Sequence, residues 1–336
     1  MKLEKLEKLP PPPGVIGSLR AGFDVVSSHV WLILVPIFLD VFLWLGPRLS
    51  AGNVTTRFIA ALIDFMKDAS TFPPQDTQPL TEFAAALSRF NWLSWLRTFP
   101  VGVSSLEAYA YPGELPLQTP LGFQSVLQIG SFVNLVGWTI LLTVVGWTVG
   151  GLFFRWVSVA TLGKEAVGIS PIRAIAQTFI LSLVWVVGLS IILLPVSFVL
   201  GLLTAISPVL SNTVLIVFLL LSYWLIVPLF FMPHGIFVRR QNALYSILSS
   251  LRMSRFTLPT SGMFVFSVFL LARGLSYLWM VPKSDSWMTL IGISGHAFIT
   301  TALLAASLVY YRDMNTWIQH ALEQVQQKQS APTQQA

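Results

Sequence analysis

Two charged side chains interrupt stretches that are otherwise apolar, and they are the first candidates for chemistry in this sequence. Asp40 lies in the apolar run 28–45, and Arg273 lies in the run 256–279. An unpaired charge in the middle of a bilayer costs about 2.5–3.5 kcal/mol on insertion scales, so such residues usually pair or serve a function. Counted along helices at about 1.5 Å per residue, both fall in the same half of a bilayer as His296. We therefore expect Asp40, Arg273 and His296 to form a buried charge cluster.

Three roles are open for this cluster. Asp40 and Arg273 could form an ion pair that locks two helices together. The same two charges could bind a substrate or pass a proton, as in carriers. Alternatively, the long side chain of Arg273 could reach the membrane surface and leave Asp40 alone.

Five arginines near the ends of apolar runs form a second candidate site. Four of them bracket an amphipathic stretch at 243–251, and the fifth precedes another apolar run. Near an anionic leaflet each positive charge adds about 1 kcal/mol of attraction. We expect these side chains to contact lipid headgroups, either as a binding function or as simple anchoring. They are Arg173, Arg239, Arg240, Arg252 and Arg255.

The sequence lacks the residues that several kinds of catalytic or metal site need. The chain has no cysteine, which excludes a thiol nucleophile and an iron–sulfur cluster. It has no HExxH, P-loop or GxSxG motif, and three of its histidines, His29, His234 and His320, are scattered along the chain rather than clustered. We therefore expect neither enzymatic activity, nor a metal site, nor a cofactor.

The elements that position these residues are membrane helices. Of 336 residues, 54% are hydrophobic and only 10% are charged, against about 25% charged in soluble domains. The uncharged run 174–238 has room for two spans of about 20 residues with a turn between them. The pattern predicts an all-α polytopic membrane protein with six transmembrane helices, at 28–47, 129–154, 175–204, 211–235, 258–281 and 287–310.

The distribution of lysine and arginine predicts the orientation of these spans. Thirteen of the twenty positive residues fall in the N-terminal tail, in the second-to-third and fourth-to-fifth linkers, and in the C-terminal tail. Cytoplasmic loops carry such an excess. We expect a multi-pass cell membrane protein with both termini in the cytoplasm, no cleavable signal and no nucleic-acid partner. The lack of cysteine and of a signal fits a bacterial inner membrane.

The remaining segments are assigned by their position relative to the spans. The insertion at 48–128 is expected to form amphipathic helices outside the membrane, either as a cap or as a receptor surface. The other predicted segments are a tail with an interfacial helix at 1–27, a bundle at 129–310 with cytoplasmic linkers 155–174 and 236–257, and a tail at 311–336 with a disordered end.

A repeated unit is suggested by three similar segments, 18–23, 171–176 and 250–255. Each places a basic residue about ten positions ahead of an apolar run, so an interfacial helix plus a hairpin could occur three times; chance is the alternative. On the stretches 163–177 and 233–256, the chain resembles uncharacterised bacterial multi-pass families that repeat such units, including the membrane region fused to some glycerophosphodiester phosphodiesterases. The resemblance covers the spans alone and implies no hydrolase activity.

These features favour a non-enzymatic membrane protein that organises or assists other components, in contact with lipids and with a protein partner or a second copy of itself. The alternative is a small-solute transporter that uses Asp40 and Arg273 inside the bundle.

Overall fold

A computed structural model describes residues 11–68, 78–109, 117–163 and 169–330. About 81% of the structure is helical, which confirms the expected all-α class. The first and last residues of the chain, and positions 164–168 of the predicted linker 155–174, lie outside the described residues. The helices are α1 (Val15–Ser28), α2 (Leu34–Leu45), α3 (Gly52–Asp68), α4 (Gln78–Arg89), α5 (Phe132–Leu162), α6 (Pro171–Ile206), α7 (Pro208–Ser222), α8 (Ile226–Phe231), α9 (His234–Arg239), α10 (Ala243–Trp279) and α11 (Thr289–Ser330).

Four of these helices, α5, α6, α10 and α11, are long and apolar enough to cross a membrane, and α1 with α2 make a fifth if the pair counts as one broken span. The windows of highest hydropathy in α5 and α6 bury only 17% and 11% of their residues within the protein. Apolar helices that expose most of their surface need a hydrocarbon solvent. The chain is therefore a helical membrane protein.

The predicted fourth span, 211–235, is not one continuous helix. Helix α7 ends at Ser222, a 3₁₀ turn at Tyr223–Leu225 follows, and the short helix α8 carries Pro228. At about 1.5 Å per residue, the 15 residues of α7 span about 22 Å, which is less than the hydrocarbon core of about 30 Å. Six separate spans are thus not present as six long helices.

Two predicted boundaries also differ from the structure. The amphipathic stretch at 243–251 is the first part of α10, and a kink at Thr257 separates it from the apolar part. Pro259 explains the kink, because it lacks an N–H donor and its ring clashes with the preceding turn. At the C-terminal end, α11 continues to Ser330, so residues 324–330 of the predicted disordered end are helical; their glutamines and lysine favour helix.

The described chain divides into two compact units. Unit 1 contains residues 1–29, 154–271 and 301–336, and unit 2 contains residues 30–153 and 272–300. The core of unit 1 is aromatic: Phe264 and Tyr310 stack with ring centroids 4.1 Å apart, and Phe231 stacks on Tyr310 at 5.8 Å. Beside them, His234 Nε2 lies 2.7 Å from Ser307 Oγ.

In unit 2, the two ends of the insertion pair with each other. Strand β1 (Arg48–Ser50) runs parallel to β4 (Val126–Gln128). Between α4 and β4 in the chain, the short strands β2 (Gln118–Thr119) and β3 (Gly122–Phe123) form an antiparallel hairpin. The side chain of Gln124 donates to the carbonyl oxygens of Leu43 and Trp44. These carbonyls end α2, so the insertion satisfies groups that the helix leaves unpaired.

The GxxxG motif of α5 packs against the insertion. A Cβ atom at Gly146 would lie 2.6 Å from the carbonyl oxygen of Leu96, and one at Gly150 would lie 2.7 Å from the Cα of Gly102. Such distances are too short for any side chain, so both positions require glycine. A GxxxG motif is typical of close packing between two helices; in this structure, a loop of the insertion packs there instead.

Candidate functional site

Asp40 is fully buried in unit 2, and donors from the insertion surround its carboxylate. Ser105 Oγ donates to Oδ1 at 2.5 Å, the Leu106 N–H donates to Oδ2 at 3.0 Å, and the Glu107 N–H donates to Oδ1 at 3.1 Å. Ser105 Oγ also accepts from the Ala108 N–H at 3.0 Å. The carboxylate thus caps the first turn of the 3₁₀ helix Glu107–Tyr109, where backbone donors favour an anion.

His296 is held by the same loop. Its Nε2 lies 3.2 Å from Ser104 Oγ, and its Nδ1 lies 3.4 Å from Ser276 Oγ. Two consecutive serines therefore join Asp40 on α2 to His296 on α11. Of the predicted cluster, the structure brings these two residues to one loop.

Arg273 has a different position. It is exposed on α10, and it is not among the three groups that hydrogen-bond the Asp40 carboxylate. The expected pairing of Asp40 with Arg273 is replaced by contacts that mostly come from main-chain N–H groups. No residue type marks such donors in a sequence, which is why the arginine was the natural expectation.

A cavity of about 280 Å³ lies beside this loop in unit 2. Its charged lining residues are Arg48, Arg89 and Glu107, and its polar lining residues include Asn91 and Thr289. Sequence reasoning missed Arg48 and Glu107, which are 59 positions apart and carry no shared motif. Only the pairing of β1 with β4 and the attachment of Glu107 to Asp40 bring them to one cavity.

The local structure fixes both charges. The Arg48 N–H donates to the Ser125 carbonyl oxygen at 2.8 Å, and its Nη2 donates to the Arg89 carbonyl oxygen at 2.6 Å. Burial and, to a smaller extent, the nearby Asp40 carboxylate raise the pKa of Glu107, while Arg48 opposes the shift, and the resulting pKa is about 7. Glu107 therefore changes charge near neutral pH.

The predicted lipid-binding arginines lie in unit 1, where two of them line one pocket. Arg239 and Arg252 border a second cavity of about 280 Å³ with Tyr245, Phe256 and Leu322. Arg239 Nη1 also donates to Asn315 Oδ1 at 3.2 Å. We call this cavity the basic pocket.

The other three arginines have separate positions. Arg240 adopts a left-handed conformation (φ 55°) that ends α9, and its carbonyl oxygen accepts from Arg173 Nη2 at 2.9 Å. Arg255 is exposed on α10 and does not line the basic pocket. Arg173 thus holds the turn after α9, whereas Arg255 lies three residues after Arg252 on α10 but outside the basic pocket.

Among the residues that the structure describes, no three His, Cys, Asp or Glu side chains lie close enough to hold a metal ion. No family model matches the chain, and no curated protein or solved structure is similar to it at a significant level. The resemblance to multi-pass bacterial families therefore stays a prediction.

Proposed function

We propose that this chain is a non-enzymatic membrane protein that binds anionic lipid in the basic pocket and organises lipids or partner subunits around it. The observation that carries the proposal is the placement of Arg239 and Arg252 on one pocket that Tyr245, Phe256 and Leu322 also line. Cations beside an apolar surface match a lipid, whose phosphate is anionic and whose chains are apolar. No acidic side chain lines this pocket within the described chain.

The proposed topology has six crossings in a cell membrane, with both termini in the cytoplasm. The fourth crossing consists of α7 and α8, joined through the 3₁₀ turn. Breaks of this kind are tolerated where the freed backbone groups find other partners. The excess of positive charge in the linkers supports this orientation, in which the basic pocket lies on the cytoplasmic side.

The proposed repeat consists of three units, each with a basic segment followed by two crossings. Two features support it: the separate helix α1 ahead of α2, and the kink at Thr257, which sets the first part of α10 apart from its apolar part. In the second unit, by contrast, α6 is continuous from Pro171.

A carrier that uses Asp40 and Arg273 is the second candidate. The three hydrogen bonds to Asp40 favour a structural role for this residue, because they occupy both oxygens of its carboxylate. A carrier would need that carboxylate for its solute.

The decisive experiment compares two neighbouring arginines on α10. The full chain, purified in detergent without phospholipid, is titrated with short-chain phosphatidylglycerol, and binding is followed by native mass spectrometry. Each charge that faces the lipid is worth about 1 kcal/mol, so Arg252→Gln should weaken binding about 5-fold and the double change with Arg239→Gln about 30-fold. Arg255→Gln, which removes an equal charge outside the pocket, should bind like the wild type.

Equal losses for Arg252→Gln and Arg255→Gln would reject the pocket and leave only general attraction between a basic surface and anionic lipid. Binding of phosphatidylcholine as tight as that of phosphatidylglycerol would also reject it, since the pocket is argued to select negative charge.

A further inference from the structure

Besides the exposed Arg89, the cavity of unit 2 is lined by two side chains of opposite charge, Arg48 and Glu107, that no direct ion pair joins. Arg48 is only 6% exposed, yet Nη2 makes the sole hydrogen bond of its side chain within the described residues. A guanidinium group has five N–H donors. Most of its hydrogen-bonding capacity is therefore left for groups inside the cavity.

Glu107 is the opposite charge. Its main-chain N–H is bound to Asp40, but its carboxylate makes no hydrogen bond to any residue that the structure describes. No ion pair within 4 Å joins it to Arg48, although the two groups line the same cavity. Glu107 is half-buried and lines the cavity, so a ligand inside the cavity could hydrogen-bond both groups where they have few protein partners.

The other walls of the cavity indicate what kind of group would fit between the two charges. Phe90 and Trp279 provide aromatic surface, and Trp279 Nε1 is a buried donor without a hydrogen-bond partner in the described chain. Leu43 and Trp279 also place the cavity at the ends of α2 and α10. Trp residues at the ends of apolar helices mark the headgroup level of a bilayer.

We propose that this cavity binds a zwitterion that carries an oxyanion and a primary ammonium group, with the oxyanion on Arg48 and the ammonium on Glu107. Arginine binds carboxylate and phosphate through paired N–H donors. The ammonium supplies the donors that the Glu107 carboxylate lacks, and an aromatic wall favours a cation. Two sources share this chemistry: a free small zwitterion, and the headgroup of an ethanolamine phospholipid.

The first experiment leaves the protein unchanged, so folding defects do not enter. The full chain in phospholipid-free detergent is titrated by calorimetry with phosphoethanolamine, with glycerol 3-phosphate, which lacks the ammonium, and with phosphocholine, which lacks ammonium N–H donors. We expect phosphoethanolamine to bind at least tenfold more tightly than either analogue. Parallel titrations with dihexanoyl phosphatidylethanolamine identify the source, because a lipid site requires the chains and a free-solute site does not.

The second experiment uses variants with matched controls. Arg48→Gln and Glu107→Gln should each weaken the preferred ligand at least tenfold, and Glu107→Gln should also abolish the preference for phosphoethanolamine over glycerol 3-phosphate. The controls are Arg57→Gln and Glu82→Gln, which remove equal charges from exposed positions on α3 and α4. Both controls should bind like the wild type.

Equal binding of phosphoethanolamine and glycerol 3-phosphate would overturn the role of Glu107 and with it the proposal. Absence of saturable binding by the free headgroup and by the short-chain lipid would overturn it as well. This site shares no residue with the basic pocket, so either outcome leaves the proposed function standing, and failure of the basic pocket leaves this inference standing.

Discussion

Replacing Asp40 by asparagine tests whether this carboxylate holds the insertion in place. Asparagine has nearly the same shape, but one of its two terminal atoms is a donor. If the amide nitrogen takes the place of Oδ2, it faces the N–H of Leu106; if it takes the place of Oδ1, it faces the N–H of Glu107. In either orientation one main-chain N–H loses its acceptor.

The magnitude follows from these contacts. A buried donor without an acceptor costs about 1–3 kcal/mol, and the remaining hydrogen bonds weaken because their acceptor is no longer charged. We expect Asp40→Asn to destabilise the attachment of the loop by about 2–4 kcal/mol. At about 1.4 kcal/mol per tenfold change, opening of the loop should become more frequent by roughly 30-fold or more.

Hydrogen–deuterium exchange measures this opening directly. Amides of residues 104–109 should exchange faster in Asp40→Asn, while those in the middle of α5 should keep their protection. Asp24→Asn is the control, because Asp24 is exposed and its contact with Arg20, at 3.9 Å, is a surface ion pair worth little. Unchanged exchange at 104–109 in a folded Asp40→Asn protein would refute the argument that this carboxylate fastens the loop.

Three further predictions concern charge, topology and packing. Since the pKa of Glu107 is raised to about 7, the folded state holds a proton that the unfolded state loses above about pH 4.5. The stability of the folded state should therefore fall as pH rises from about 4.5 to 7. In Glu107→Gln, the thermal midpoint should depend less on pH across that window. The chain has no cysteine, so Ser207→Cys should react with an impermeant maleimide in intact cells, whereas Asn242→Cys should react only after permeabilisation; labelling of both from one side would contradict a fourth crossing. Gly146→Ala should destabilise the protein by about 1–3 kcal/mol through overpacking and so lower its thermal midpoint. Gly137→Ala, whose Cβ would meet nothing within 4 Å, should leave the midpoint unchanged or raised. Equal midpoints for the two variants would contradict the packing of α5 against the insertion.

The sequence predicts the spans best where their signal is local. Helix α6 covers the predicted span 175–204, because an uncharged run of that length has few alternatives to a membrane helix. The predicted span 211–235 is equally free of charged residues, yet Pro228 and the turn at Tyr223–Leu225 divide it. Hydropathy averages over a window and does not register where a helix breaks.

The candidate sites show the same limit. Asp40 stands out in the sequence because it is a charge among apolar residues, and the structure buries it completely. Its partners do not stand out, since two of the three are main-chain N–H groups. Arg48 and Glu107 look like ordinary extramembrane charges, and only the tertiary contacts of the insertion give them a shared cavity.

The two cavities should prefer different headgroups, because their lining residues carry different charges. The basic pocket has Arg239 and Arg252 and no acidic lining residue, so an ethanolamine headgroup placed there would leave its ammonium without an acceptor. The cavity of unit 2 has Glu107 as well as Arg48, so a purely anionic headgroup would put its charge near a carboxylate. Each mismatch costs the hydrogen bonds and the attraction that the correct headgroup gains. If the ligand of the unit 2 cavity is the ethanolamine phospholipid, a single chain with both cavities would sort lipids by headgroup charge, which is a physical basis for organising a membrane without catalysis.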